Sequence, residues 1–138
     1  MIDRKKTRTV FIGNVPIGGA HPIVIQSMTN TPTKNIQASL TQIQALGEAG
    51  AQIVRLAVLD SEDADALKAL VERSPVPLVA DIHFDYLLAL KAVESGISAL
   101  RLNPGNIREQ NKMALIVEKA AAKNIPIRIG VNAGSLDR

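Results

Sequence analysis

The sequence lacks several residue types on which whole classes of protein depend. It has no cysteine, which excludes disulfides, thiolate metal sites and a cysteine nucleophile from this stretch of chain. Only Phe11, Phe84 and Tyr86 are aromatic, too few for a platform that stacks single-stranded nucleic-acid bases. No apolar run approaches the ~20 residues of a membrane span, and none follows the basic amino terminus as in a signal peptide. We therefore expect a cytoplasmic protein with no membrane partner.

The positive charge is concentrated at the amino terminus. Residues 1–8 carry a net charge of +3, which equals the formal net charge of the whole chain. A nucleic-acid-binding surface needs a basic stripe on the folded domain, so we expect no nucleic-acid partner. The 138 residues, 46% hydrophobic and 21% charged, suit one globular domain with a substantial core.

A short β-branched segment followed by a longer helical pattern repeats along the chain. The predicted strands are 22–28, 52–58, 77–84, 98–105 and 126–132. The predicted helices cover 36–47, a segment capped by Ser61, a segment from Asp85 to just before Gly96, and Glu109 to Lys123. This alternation predicts βα units and a parallel sheet. Ahead of them, residues 9–18 predict a β-hairpin that turns at Gly13–Asn14.

Alternation along the strands separates two kinds of α/β sheet. One set of positions is apolar throughout: Val54, Leu56, Val58, Leu78, Ala80, Ile82, Leu100, Leu102, Ile127, Ile129 and Val131. The other set is mostly polar: Arg55, Ala57, Asp81, His83, Arg101, Asn103, Arg128, Gly130 and Asn132. A doubly wound sheet is apolar on both faces, whereas a barrel turns one face to its lumen and places its site at the carboxyl ends of the strands. We therefore predict a partial TIM-like (β/α)8 barrel of about five parallel strands and four helices, preceded by the hairpin.

Three arginines occupy these inward positions at matching depth on three different strands: Arg55, Arg101 and Arg128. Arginine stays charged and binds phosphate or carboxylate oxygens through a planar fork. Because Asp81 is the one nearby acid, an excess of about two positive charges remains, and an unpaired buried charge is costly. A doubly anionic ligand would neutralise that excess. The structural alternative is an internal Arg55–Asp81 ion pair with the other two arginines exposed.

Asp81 and His83 lie two residues apart on one strand face. Either can position a substrate hydroxyl or orient a proton donor, although a lone strand histidine is as often structural. Two ligands at this spacing are too few for a metal site, so we expect no metal in this segment. Asn103 and Asn132 are expected to face the lumen, and the loops after them serve as turns or present N–H groups to an anion. Met28 is either core filling or a wall of the pocket.

Four motifs resemble one enzyme family. They are GNVPIGGAHPIVIQSMTNT (13–31), ADIHFDY (80–86), ALRLNPGNI (99–107) and RIGVNAGSL (128–136). Together they resemble 4-hydroxy-3-methylbut-2-enyl diphosphate synthase, the iron–sulfur enzyme of the methylerythritol phosphate route to isoprenoids. The resemblance extends in order over essentially the whole chain.

The resemblance implies a TIM-like barrel that binds 2-C-methyl-D-erythritol 2,4-cyclodiphosphate. It also implies a C-terminal domain whose [4Fe-4S] cluster is held by three cysteines and a glutamate. Two electrons from ferredoxin or flavodoxin would open the ring and expel water, giving the allylic diphosphate. Bacterial members of the family are typically homodimers in which the cluster domain of one subunit covers the barrel of the other.

The match also implies a role for particular residues of this chain. Those placed at the diphosphate are Arg55, Arg101, Arg128, Asn103 and Asn132. Those placed beside or near the carbon skeleton are Asp81, His83 and Met28. The cysteine-free chain ends just past the fifth predicted strand, so we expect it to supply the diphosphate side of the site, to lack the cluster ligands and to be inactive alone. Two alternatives stay open: a dihydropteroate synthase-like barrel that binds phosphate or pterin, and a non-catalytic truncated remnant.

Overall fold

The computed structural model describes residues 5–103, 105, 107 and 109–131. Seven strands lie in these ranges: β1 (Val10–Ile12), β2 (Val15–Ile17), β3 (Gln26–Met28), β4 (Ile53–Val58), β5 (Leu78–Ile82), β6 (Ala99–Leu102) and β7 (Ile127–Ile129). The same ranges hold four helices: α1 (Ile36–Glu48), α2 (Ser61–Arg73), α3 (Tyr86–Glu94) and α4 (Gln110–Ala122). None of these helices combines the length and apolarity needed to cross a bilayer.

The strand order identifies the type of sheet. Strands β3, β4, β5, β6 and β7 are hydrogen bonded in chain order and all run parallel, and one helix lies in each crossover. A doubly wound sheet reverses its direction of growth, whereas a barrel adds each new strand on the same side. The predicted partial barrel is therefore confirmed, and the sheet of the described residues is open at β3 and β7.

The main hydrophobic core lies between the sheet and the helices. Leu56 of β4 and Leu100 of β6 are fully buried there, in one cluster with Ile43 of α1 and Leu67 of α2. These strand residues occupy the apolar set of alternating positions, so the period-two pattern correctly identified the face that the helices cover. Burial of this face supplies most of the hydrophobic stabilisation of the fold.

The outward face of β7 departs from that pattern. Ile129 and Val131 were expected to be buried, but they are 59% and 45% exposed. The prediction is wrong at this edge because, in the described part of the chain, Ile127 packs against the core cluster but Ile129 and Val131 do not. Alternation thus identified the direction of the side chains correctly but not their burial, which depends on a covering element.

The hairpin closes the amino end of the lumen. Its strands pair antiparallel, as predicted, and Gly13 takes a left-handed conformation in the turn, with φ of 58°. A second apolar cluster forms where the hairpin meets the inward side chains of the sheet: Ile53, Val79 and Ala99, packed by Ile12, Val15, Ile17 and Val24. The lumen is therefore apolar at its amino end and polar at its carboxyl end.

The start of α2 differs from its prediction by one residue. Asp60, not Ser61, is the N-cap: its backbone is extended, and its Oδ1 accepts a hydrogen bond from the N–H of Asp63 at 2.9 Å. Both residue types cap helices well, and the chain already takes helical geometry at Ser61. The third helix was expected to start at Asp85, and Asp85 is the N-cap of α3, where its side chain accepts the N–H of Leu87.

Buried Asp63 ties two loops of the carboxyl end together. Its carboxylate accepts the N–H of Lys34 at 2.8 Å and the N–H of Leu59 at 3.0 Å. The hydroxyl of Thr33 donates to the carbonyl oxygen of Ala57 at 2.6 Å beside it. The loop after β3 and the loop after β4 are therefore held as one unit at the rim of the lumen.

Replacing Asp63 with alanine should lower the free energy of unfolding by about 2 kcal/mol or more, because two backbone N–H groups lose their acceptor. Urea unfolding followed by circular dichroism measures the loss. Asp65→Ala is the matched control on the same helix: it removes an exposed ion pair with Lys91 at 2.8 Å and should cost less than about 1 kcal/mol. Equal losses for the two variants would contradict the role of Asp63.

Candidate functional site

Polar side chains from three neighbouring strands meet at one carboxylate. Asp81 of β5 is 3% exposed. Its Oδ1 accepts a hydrogen bond from Nη1 of Arg101 at 3.0 Å, and its Oδ2 lies 3.4 Å from Nε of Arg55. The internal Arg55–Asp81 ion pair of the structural alternative is thus present, and a second arginine shares it.

The strand register explains how these residues reach each other. Arg101 pairs with both Asp81 and Arg128 across the sheet, so the predicted matching depth is confirmed for those two arginines. It is wrong for Arg55, which pairs with Val79, two residues before Asp81. Strands in a barrel are staggered along its axis, and the long Arg55 side chain spans the offset.

Met28 contacts the arginine beside it. Its sulfur lies 3.2 Å from both Nε and Nη2 of Arg55, and the two residues are register partners between β3 and β4. A thioether accepts hydrogen bonds only weakly, so this contact orients the guanidinium without neutralising its charge. Met28 therefore lies at the arginine cluster and belongs to neither apolar core cluster of the described residues, which favours a wall of the pocket over core filling.

Arg101 is the more buried arginine of the pair, at 9% exposure. Besides Asp81, it contacts the residue that follows β7: its Nη2 donates to the carbonyl oxygen of Gly130 at 3.1 Å. A guanidinium carries five N–H donors, and the two described hydrogen bonds use one each from Nη1 and Nη2. The arginine is thus held in a defined direction while keeping donors for an anionic ligand.

Arg128 lies on the same face but apart from this cluster. It is exposed and borders a cavity of about 200 Å³ at the amino end of the lumen, together with Ile12, Ile17 and Gln26. The strand register pairs it with Arg101, but the cavity that it borders is lined in part by residues of the β-hairpin. The structure therefore brings two of the three predicted arginines to Asp81 and leaves the third beside them.

The remaining predicted residues lie at the carboxyl rim. Asn103 is buried, and its Oδ1 accepts the N–H of Gly105 at 3.1 Å, which closes a turn. His83 is half-buried just beyond β5, with its ring centroid 6.0 Å from that of Phe84. Asn132 lies outside the described residues.

The formal charges of the inward face do not cancel. Asp81 carries the one negative charge near Arg55 and Arg101 in the described contacts, and Arg128 adds a further positive charge on the same face. Charges in a partly dehydrated lumen interact more strongly than in water. The arrangement is therefore suited to an anion with two negative charges.

A separate ion cluster lies at the rim, between the loop after β3 and the start of α2. Nζ of Lys34 lies 2.8 Å from Glu62 and 3.1 Å from Asp60. Nζ of Lys34 donates hydrogen bonds to the carboxylates of Glu62 and then Asp60, and these raise the pKa of Lys34 above its usual range. The N–H of Asp63 and then Lys34 lower the pKa of Asp60. The ion pairs connect the loop after β3 to the start of α2. Because the groups are exposed to water, they contribute little to the free energy of unfolding.

Sequence reasoning missed Gln42, which holds the loop after β3 against α1. Its Oε1 accepts the N–H of Asn30 at 2.9 Å, and its Nε2 donates to Oδ1 of Asn30 at 2.6 Å. Thr31 and Ser39 join the same network through their hydroxyls, 3.0 Å apart. A glutamine in a helical pattern looks like any solvated residue, so no sequence signal distinguishes it.

Replacing Asp81 with asparagine should lower the free energy of unfolding by about 2–3 kcal/mol, because two largely buried guanidinium groups lose their counter-charge. Inorganic diphosphate should then restore more stability to the variant than it adds to the parent, since the anion replaces the missing charge. Thermal unfolding with and without diphosphate measures both effects.

The matched control for this experiment is Asp65→Asn, which removes a carboxylate at the surface ion pair with Lys91. Diphosphate should stabilise that variant no more than the parent. The charge assignment would be contradicted by equal stabilisation of the parent and the Asp81 variant.

Comparison with known proteins identifies close relatives of the chain. Residues 7–138 match the family model described as the GcpE TIM-barrel domain. Proteins named 4-hydroxy-3-methylbut-2-en-1-yl diphosphate synthase (flavodoxin) are 59% identical over all 138 residues in Maridesulfovibrio salexigens and 58% identical over 135 residues, 98% of this chain, in Lawsonia intracellularis. The chain spans 38% of the length of each of these relatives.

Solved structures of dihydropteroate synthases share the fold. The Yersinia pestis enzyme superposes with a TM-score of 0.64 at 16% identity, over 86% of this chain and 44% of that protein. The Xanthomonas albilineans enzyme gives a TM-score of 0.65 at 15% identity, over 94% of this chain and 52% of that protein. At this level of identity the likeness is one of architecture alone.

Proposed function

Because this chain belongs to the GcpE family, whose TIM-barrel domain its residues 7–138 match, we propose that it supplies the amino-terminal part of the barrel of a 4-hydroxy-3-methylbut-2-en-1-yl diphosphate synthase. The observation that carries the proposal is the 59% identity over its whole length to a relative of that name. The reaction is the two-electron reductive opening of 2-C-methyl-D-erythritol 2,4-cyclodiphosphate, with loss of water, in isoprenoid biosynthesis.

The part of this chain in the reaction is to bind the diphosphate. Among the described residues, Arg55 and Arg101 share the single carboxylate of Asp81, so their charge is incompletely balanced before the substrate binds. Guanidinium groups bind phosphate oxygens in a planar fork, which fixes the orientation of the ligand as well as its position. Arg128 and Asn103, with Asn132, complete the diphosphate side of the site.

The carbon skeleton of the substrate lies on the carboxyl-end side of Asp81, near His83. Asp81 is committed to the two arginines, so its main task is to hold their guanidinium groups in place for the diphosphate. His83 is half-buried at the carboxyl rim, where an imidazole can hydrogen bond to a substrate hydroxyl. Met28 supports Arg55 from the β3 side.

The iron–sulfur cluster implied by the family does not fit the residues of this chain. Ligation of a [4Fe-4S] cluster depends on cysteine thiolates, and the chain has no cysteine. The described residues also contain no group of three or more histidine, aspartate or glutamate side chains arranged to hold a metal. The cluster and the electron transfer thus belong to other parts of the synthase, which we propose is a homodimer that takes its electrons from flavodoxin or ferredoxin.

A chimera tests the proposed function directly. When this chain replaces the aligned 138-residue segment of the Maridesulfovibrio salexigens relative, the chimera should convert the cyclodiphosphate to the allylic diphosphate, detected by phosphorus NMR with a chemical reductant. The unmodified relative is the positive control. A folded chimera that carries its cluster, seen by visible absorbance, but gives no product would contradict the proposal.

In the same chimera, Arg101→Ala should weaken binding of the cyclodiphosphate by about tenfold or more, because charge-assisted hydrogen bonds to the diphosphate are lost. Lys68→Ala is the control, since Lys68 is an exposed cation on helix α2; it should change the affinity by less than about twofold. Isothermal titration calorimetry gives both dissociation constants. Equal affinities in the two variants would remove Arg101 from the site.

A further inference from the structure

Gly130 lies directly against the guanidinium of Arg101. A Cβ on Gly130 would come within 2.8 Å of Nη2 and 2.9 Å of Cζ of Arg101, and would lie closer still to its Nε. Such distances are too short for a side chain to coexist with the arginine in its present place. The space that an alanine methyl would fill is therefore occupied by the guanidinium.

The backbone itself does not require glycine at this position. Gly13, Gly18 and Gly96 take positive φ angles, which disfavour other residues, but Gly130 is not among the positive-φ glycines. The restriction at Gly130 comes from space alone, and the neighbouring atoms belong to the far end of a long side chain. A methyl group there would displace the guanidinium rather than the strand.

We propose that Gly130 is a positioning residue for Arg101: the missing side chain lets the guanidinium lie against the backbone just after β7, between the carboxylate of Asp81 and the carbonyl oxygen of Gly130. Nη1 donates to Asp81 at 3.0 Å and Nη2 donates to Gly130 at 3.1 Å. Asp81 is on β5 and Gly130 directly follows β7, so the two contacts hold Arg101 of β6 from both sides and fix the plane of the fork. The inference deepens the proposed function and rests on it, since the fork so fixed is the one assigned to the diphosphate.

A second glycine provides a matched control. Gly47 lies in helix α1, away from the lumen, and its φ is also not positive. A Cβ there would meet Val76 Cγ1 at 3.5 Å, an ordinary contact distance. Gly47→Ala is the same chemical change, and alanine is the better helix former.

The test is a double-mutant cycle in the full chain with the variants Gly130→Ala, Arg101→Ala and both together. Urea unfolding gives the transition midpoint, and calorimetry with inorganic diphosphate gives the dissociation constant. Gly130→Ala should lower the midpoint and weaken diphosphate binding by about tenfold, because it breaks the same charged contacts as Arg101→Ala. In the Arg101→Ala background, Gly130→Ala should change neither quantity, and Gly47→Ala should leave diphosphate binding unchanged.

The variant Arg101→Lys distinguishes a positioning role of Gly130 from a purely structural one. Lysine keeps the charge of Arg101 but lacks the planar group that meets Gly130. In the Arg101→Lys background, Gly130→Ala should therefore cost no further diphosphate affinity. If Gly130→Ala alone does not fold, adding Arg101→Lys should restore folding. If no protein with Ala at this position folds in any of the three backgrounds, the strand itself requires glycine and the inference is overturned.

The remaining outcomes distinguish the inference from the function on which it rests. Diphosphate binding that is unchanged in Gly130→Ala but weakened in Arg101→Ala overturns the positioning role and leaves the diphosphate site intact. An equal loss from Gly130→Ala with and without Arg101 also overturns it, since the effect would not pass through the guanidinium. Unchanged binding in Arg101→Ala overturns both.

Discussion

The shared carboxylate of Asp81 is the interaction on which the polar half of the lumen depends. It lies 3.0 Å from Nη1 of Arg101 and 3.4 Å from Nε of Arg55, and it is buried where lone charges are expensive. Without it, the guanidinium groups of Arg55 on β4 and Arg101 on β6 would repel each other across β5. With it, they are held close together and still carry surplus positive charge, which is the condition that an anionic substrate needs.

The rest of the fold surrounds this polar region with apolar packing on two sides. Helices cover the outward face of the central strands, and the hairpin closes the amino end of the lumen with apolar side chains. The Asp81 carboxylate, with Arg55 and Arg101 around it, is therefore left toward the carboxyl end, where barrel enzymes place their sites. Dihydropteroate synthases share this architecture at 15–16% identity, because the fold follows from the pattern of apolar positions and tolerates different residues at the site.

The residues that hold the site in place were harder to predict than the residues that form it. Asp81 and Arg101 stand out in the sequence because charges at inward strand positions are rare. Asp63, Gln42 and Gly130 do not, since an acid at a helix start, a helical glutamine and a glycine after a strand are all common. Their roles depend on contacts 29, 12 and 29 residues away along the chain, which no local pattern encodes.

By itself, the sequence determined the strand–helix alternation, the two faces of the sheet, the hairpin and the identity of the charged residues, because hydrophobic period and turn chemistry are local properties. Only the tertiary structure decided which charges meet. The stagger between strands placed Arg55 two residues lower than its neighbours, and the covering of each face decided that Ile129 is exposed while Leu100 is buried. Those outcomes depend on how separate elements pack in space, so the order of residues along the chain does not specify them locally.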